Sequence, residues 1–198
     1  MFGEDETPDP KFHGFYDGVV VDNRDPLRVG RVRVRIPGLV EPFSSWALPM
    51  ANPGGGSDSV GFYFPPKIGA EVGVMFKLGD IDRPRFWIGT WGAPGGQPES
   101  PSFVRDLAAD QAPQVQGIET DRWRIVFDNR AGQERLVIED RNPPAGGGAD
   151  FIEIDGAGNG VTISGTAAVY IKSSGVVNID AMQLLLNGRQ VKATEDPI

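Results

Sequence analysis

The chain has 198 residues with a formal net charge of -8, 27 glycines, 17 prolines and no cysteine. That length admits one domain or two small ones, and the glycine and proline content excludes a helical bundle in favour of turns, strands and ordered loops. The missing cysteines exclude disulfides, thiolate metal sites and a cysteine nucleophile, and the acidic balance disfavours general polyphosphate binding.

The first segment, MFGEDETPDP and the three residues after it, reads as a polar, Pro-broken extended arm over residues 1–13. A secretory signal would be basic and then apolar, and no run approaches the roughly 18 apolar residues of a membrane span, so synthesis in the cytosol without export is expected. From Gly14 the character changes. Gly14 to Asp22 is a β-branched run closed by the turn residues Asn23-Arg24-Asp25-Pro26, and reads as a strand followed by a turn. Gly30 to Gly38 alternates strictly, with Val32, Val34 and Ile36 on one face and Arg31, Arg33 and Arg35 on the other, the period of a half-buried strand.

Further strands are expected at Ser45–Met50, Glu71–Phe76 and Arg85–Trp91, separated by the loop 52–59 and the turn 78–84. Five short strands with internal glycines suit a small, strongly curved, closed sheet, so residues 14–92 are expected to form a five-stranded OB-type barrel. Residues 93–120 read as a linker, with a turn or two of helix between Phe103 and Asp110.

Beyond that the pattern repeats. Apolar pairs at i and i+2 recur at Ile125/Phe127, Leu136/Ile138, Ile152/Ile154, Val161/Ile163, Val169/Ile171, Val177/Ile179 and Leu184/Leu186, with start-to-start spacings of 11, 16, 9, 8, 8 and 7 residues. Between Phe151 and Gly188 only Glu153, Asp155, Lys172 and Asp180 are charged, so the stretch is expected to be covered. Near-octad spacing signals a solenoid, yet three faces of about eight residues need about 24 residues per coil, too many for one chain to build a stable stack. Three chains winding round one axis could do so, each strand edge pairing with a neighbour and each apolar pair pointing inward. Residues 121–198 are therefore expected to form a triple-stranded, intertwined β-helix, a triangular prism in an obligate homotrimer. Its inward core is Ile152, Ile154, Val161, Ile163, Val169, Ile171, Val177, Ile179, Leu184 and Leu186, and a short polar tail follows. The fold class is all-β.

Several constellations invite sharper readings. The Arg31, Arg33, Arg35 stripe on an OB barrel suggests a single-stranded nucleic-acid module, with Phe15, Tyr16, Phe62 and Tyr63 near in sequence. Against it, the first 120 residues are net acidic and these aromatics do not interleave with the arginines, so a solvated face paired with Asp22, Asp25 or a partner protein is preferred. Gly156-Ala157-Gly158-Asn159-Gly160 runs into another strand rather than a helix, which makes it a turn and not a phosphate loop. Gly146-Gly147-Gly148-Ala149-Asp150 lacks the second Gly-x-Asp of a calcium repeat. His13 is the only histidine, so no triad or His-based metal site can form within one chain, and Asp80 and Asp82 read as turn caps. No catalytic residue, metal or cofactor is expected.

The blocks GVVVDNRDPLRVGRVRVRIPG, SSWALPMANP and IGAEVGVMFKLGDIDRPRFWIGTW resemble the OB domain of the central spike, or cell-puncturing, proteins of contractile-tailed phage baseplates, also called baseplate assembly protein V. The valine-glycine repeat spike of type VI secretion systems is related, and the octads resemble the triple-stranded β-helix that follows the barrel in that family. The resemblance implies a structural, non-enzymatic homotrimer in the virion's tail baseplate, assembled in the bacterial cytoplasm. It also implies a barrel that docks on a ring-shaped hub protein and a β-helix that points at the target cell and makes transient contact with its envelope. Some relatives carry a lysozyme domain between barrel and helix. The stretch from about Gly95 to Asp121 is too short for one, and with only 13 residues before Gly14 the hub is expected to be another protein. Arg31, Arg33 and Arg35 are the candidate hub-docking residues. Leu184 and Leu186 are candidates for docking a separate tip protein of the proline-alanine-alanine-arginine repeat type, because no histidine or cysteine follows His13 to close the point with a metal. The alternative function is an OB module for single-stranded nucleic acid or glycan, trimerised by its tail.

Overall fold

The computed structural model describes residues 11–50, 55–56, 58–143, 145 and 148–191. Most of residues 1–13, part of the loop 52–59, most of the Gly146–Gly148 run and the polar tail 192–198 lie outside that set. The chain divides into two units, Met1–Ser100 and Pro101–Ile198.

The first unit is a curled, OB-like sheet of β1 (Tyr16–Asp22), β2 (Arg33–Arg35), β3 (Leu48–Pro49), β4 (Glu71–Phe76) and β5 (Pro84–Gly89), in the order β2-β1-β4-β5-β3. All pairs are antiparallel except β3 with β5. The two end strands meet through an isolated bridge: Val32 donates its N–H to the Ala47 carbonyl at 3.1 Å and Ala47 returns the bond at 2.8 Å. That bridge brings the sheet back on itself, and irregularities at Val20/Asp22 and Val72/Val74 supply local bending. The alternation expected of the arginine strand is present, with Val32, Val34 and Ile36 in a core shared with Val20, Ala47, Val72, Val74, Phe76 and Phe86. Gly73 is required by close approach: a Cβ there would fall 2.1 Å from the Phe15 ring, which lies across the strand in its place.

Two expectations change here. Ser45–Met50 contributes a strand of only two residues, Leu48–Pro49, although Met50 N–H still reaches the Phe86 carbonyl at 2.9 Å. The end of the expected N-terminal arm is docked, because Phe12 donates its N–H to the Gly79 carbonyl at 2.9 Å and packs edge-on against Phe76. An aromatic residue inside a polar segment finds an apolar wall more favourable than water.

The second unit holds a five-stranded antiparallel meander in the order β10-β9-β8-β7-β6. Its strands are β6 (Val115–Glu119), β7 (Trp123–Asp128), β8 (Arg135–Asp140), β9 (Phe151–Asp155) and β10 (Gly160–Ser164). β6 falls in the stretch expected as linker, and the helix expected between Phe103 and Asp110 is the single turn α1 (Ser102–Arg105). Val115 and Gly117 give this stretch no obvious strand alternation, yet pairing of all five β6 residues with β7 makes it one. α1 is latched to β6: Ser102 donates its N–H and hydroxyl to Glu119 at 3.0 and 2.6 Å, and Phe103 covers Gly117. Gly156–Asn159 forms the turn between β9 and β10, with Gly158 N–H bonded to the Asp155 carboxylate at 2.7 Å. Between Ser164 and Leu185 the described residues form no strand within the chain, and β11 (Leu185–Leu186) pairs with β12 (Arg189–Gln190) around Asn187-Gly188. Both turn residues have positive φ, 50° and 73°, as a tight hairpin needs.

Candidate functional site

Strand register gives the meander two chemically opposite faces. On one face Ile118, Ile125, Ile138, Ile152 and Ile163 stand directly across from one another in a row that crosses all five strands. Beside it runs a second row, Gln116, Phe127, Leu136, Ile154 and Val161. Neither row contains a charge, and among the described residues nothing covers this face fully: Ile152 is 44% exposed, Ile163 58% and Val161 69%. Trp123, 51% exposed, flanks the rows, and Val169 joins Trp123, Ile138, Ile152 and Ile163 around a groove of about 350 Å³.

The opposite face is finished within the chain. Val126 and Val137 are buried there, and Arg124 pairs with Glu139. Arg135 reaches Asp128 at 3.8 Å and Glu153 at 3.6 Å, and Arg130 bonds Asp128 at 2.7 Å. The Arg130 guanidinium holds the buried Asp128 carboxyl below the usual carboxylate range. Arg122 does the same for Asp140 at the end of β8. At Glu119 burial pushes the pKa up, but the Ser102 hydrogen bonds and the nearby Arg141 and Arg124 charges outweigh it and the net shift is downward.

Of the residues expected to point inward, the structure gathers Ile152, Ile154, Val161 and Ile163 on one face. It leaves Val169, Ile171, Val177 and Ile179 half or more exposed and without strand partners among the described residues. Leu184 accepts the Val191 N–H at 2.8 Å, while Leu185 and Leu186 are exposed on the terminal hairpin. Ile118, Ile125, Phe127, Leu136 and Ile138 were missing from the expected inward set. The pairs 125/127 and 136/138 carry the same i, i+2 signature, but their spacings of 11 and 16 fall outside the octad.

On the first unit the arginine stripe separates into three environments. Asp25, itself buried, accepts from the N–H groups of Leu27, Val29 and Arg31 and from the Arg31 guanidinium at 2.9 and 2.6 Å. The Arg31 bond, backed by those backbone donors, holds the Asp25 carboxyl far below the usual range. Arg33 lies 4.8 Å from the ring centres of both Phe43 and Trp46, and Arg35 faces the exposed Glu41 at 3.8 Å. Of the aromatics near the stripe in sequence, Phe15 lies on Gly73, Tyr16 packs on Phe76 at 5.5 Å and Phe62 lies near Phe64, whereas the Tyr63 ring lies against Gly30, next to Arg31. In the β4–β5 turn the Asp80 carboxylate accepts the Asp82 N–H at 3.0 Å, as a turn cap does.

Among the described residues no group of three or more His, Cys, Asp or Glu is placed to hold a metal ion, and no helix is long and apolar enough to cross a membrane. No curated protein matches the chain. Residues 16–91, which contain all five strands of the curled sheet apart from its docked arm, match the family model of the type VI secretion system/phage-baseplate injector OB domain, and the match points to a structural role in a phage tail baseplate or a related injector.

Proposed function

We propose that the chain is a non-enzymatic homotrimeric central spike of a phage tail baseplate. In this role the OB-like unit docks on a hub protein and the second unit supplies the rod that breaches the host envelope when the sheath contracts. The observation that carries the proposal is the uncharged, uncovered face of the meander, combined with the injector OB match over residues 16–91. Contiguous apolar surface of this kind marks an interaction site, and its two rows repeat the spacing of the pairs at Val169/Ile171 and Val177/Ile179. Three copies that turn these faces to a common axis bury them together, and the unpaired octads gain strand partners from neighbouring chains. A rod without free edges, built from interlocked chains, resists unfolding under axial load. Force rather than chemistry then opens the envelope.

A separate tip protein of the proline-alanine-alanine-arginine repeat type would cover the distal end near Leu184 and Leu186. Against an oligonucleotide-binding barrel stands the state of the stripe, since Arg31 is engaged by Asp25 and Arg33 by two aromatic rings. Electron microscopy of particles labelled against this chain tests the placement. Label on the baseplate axis, with density of another chain at the tip, supports it. Label on the sheath or head, or an axial point made only of these three chains, overturns the corresponding part.

A further inference from the structure

The curled sheet carries a second surface that no described residue covers, a groove of about 510 Å³ lined by Pro49, Met50, Met75, Leu78, Lys77 and Arg85. Its floor is apolar and adaptable, since unbranched methionine side chains fit differing partner shapes. Leu78 forms one wall in an unusual way. Its backbone sits at φ 58°, a left-handed conformation that a leucine rarely adopts, and its side chain is 76% exposed.

The turn that imposes this conformation is firmly built. Lys77 N–H bonds the Arg83 carbonyl at 3.0 Å, Asp80 N–H the Lys77 carbonyl at 3.2 Å, and Ser45 donates its hydroxyl to the Asp82 carbonyl at 2.7 Å. Strain kept by a firm scaffold, with an apolar side chain presented to water, fits a prepared contact better than a relaxed surface turn. The rim adds the charge. Neither the Lys77 ammonium nor the Arg85 guanidinium has an ion pair or hydrogen bond with any described residue, whereas Arg31, Arg122, Arg124, Arg130 and Arg141 each have a carboxylate. In an acidic chain two unpaired cations beside an apolar floor leave one complementary partner chemistry.

We propose that this groove is where the barrel grips its hub protein, receiving an extended hub segment that sets a large apolar side chain between Met50, Met75 and Leu78 and flanking carboxylates on Lys77 and Arg85. The identity of the partner rests on the baseplate role proposed above; the chemistry of the groove does not. It moves the principal docking charge from the Arg31, Arg33, Arg35 stripe to the β4–β5 hairpin.

The test is methyl NMR of the full chain with labelled methionines, titrated with a synthetic peptide of alternating leucine and glutamate. Met50 and Met75 line the groove, whereas Met182 lies in the other unit and serves as an internal reference. Saturable shifts of Met50 and Met75 with Met182 unmoved are expected, with at least a tenfold loss of affinity in the Lys77→Glu, Arg85→Glu double variant and no response to a leucine–lysine peptide. Shifts at no methionine, equal shifts at all of them, an equal response to the lysine peptide, or unchanged binding by the double variant overturn the proposal. So does a change of oligomeric mass in the double variant, which would make a second copy of this chain the occupant. Because the titration contains no hub, a groove that binds the acidic peptide on a chain that ignores its hub would discard the baseplate placement alone.

Discussion

Ile152→Asp separates the fold of one chain from the association of three. Ile152 stands in the apolar row between Ile138 on β8 and Ile163 on β10, 44% exposed in the single chain. Full burial of such a side chain is worth about 1.5–3 kcal/mol, so the part still exposed represents about 1 kcal/mol per chain and about 3 kcal/mol per trimer. Truncation to alanine should therefore weaken trimer formation by about two powers of ten. Aspartate adds a carboxylate with no partner on this face, and burying an unpaired charge costs several kcal/mol, three times over at a shared axis. The total exceeds about 10 kcal/mol per trimer, enough to dissociate it at micromolar concentration. In the lone chain the same carboxylate can reach water, so β-sheet circular dichroism should persist. The assay is sedimentation equilibrium with circular dichroism on the wild type, Ile152→Ala and Ile152→Asp. An aspartate variant with unchanged mass and thermal midpoint would refute the inward assignment of this face.

Val169→Asp should also block assembly, whereas Lys172→Ala should not, because the ammonium already lies 5.3 Å over the exposed Tyr170 ring; light scattering on both variants distinguishes them. Stability should fall with acid: Asp25, Asp128, Asp140 and Glu119 all have depressed pKa values when folded, so their contribution is complete above the unfolded values of about 4 and is lost as pH drops below them. Asp25→Asn should lower the thermal midpoint at pH 7 and flatten its decline below about pH 4, and an unaltered pH profile would show that Asp25 does not govern the first unit. Substitution of Arg35 by Glu should affect hub co-purification mainly through its rate, while Arg31→Glu should destabilise the barrel itself by stranding Asp25.

The strict alternation from Arg31 to Ile36 made the second strand and its core face legible, because period 2 leaves no helical alternative. Leu48–Pro49 was harder to delimit, since a strand of two residues is defined by its partners on β5 rather than by its own pattern. β6 was hidden for a similar reason: Gln116 and Gly117 carry no strand preference, and the segment becomes a strand by pairing with β7. The site divides in the same way. Residues 152–163 announced an apolar face through spacing, but spacing alone could not extend that face to Ile118, whose membership follows from five-strand register. The stripe shows the reverse case, since three arginines on one face are equivalent by pattern, but Asp25, six residues upstream of Arg31, neutralises one and two aromatic rings lie close to another. Asn187-Gly188 is a two-residue hairpin signal, and the β11–β12 pairing follows from it.

The central claim is that the uncovered face of the meander is closed by two further copies of the chain, so the most direct test is the mass of the purified full-length protein in solution. Light scattering coupled to size exclusion should give about three times 21.3 kDa, unchanged on dilution through the micromolar range. A monodisperse species of 21.3 kDa with full β-sheet content would contradict it.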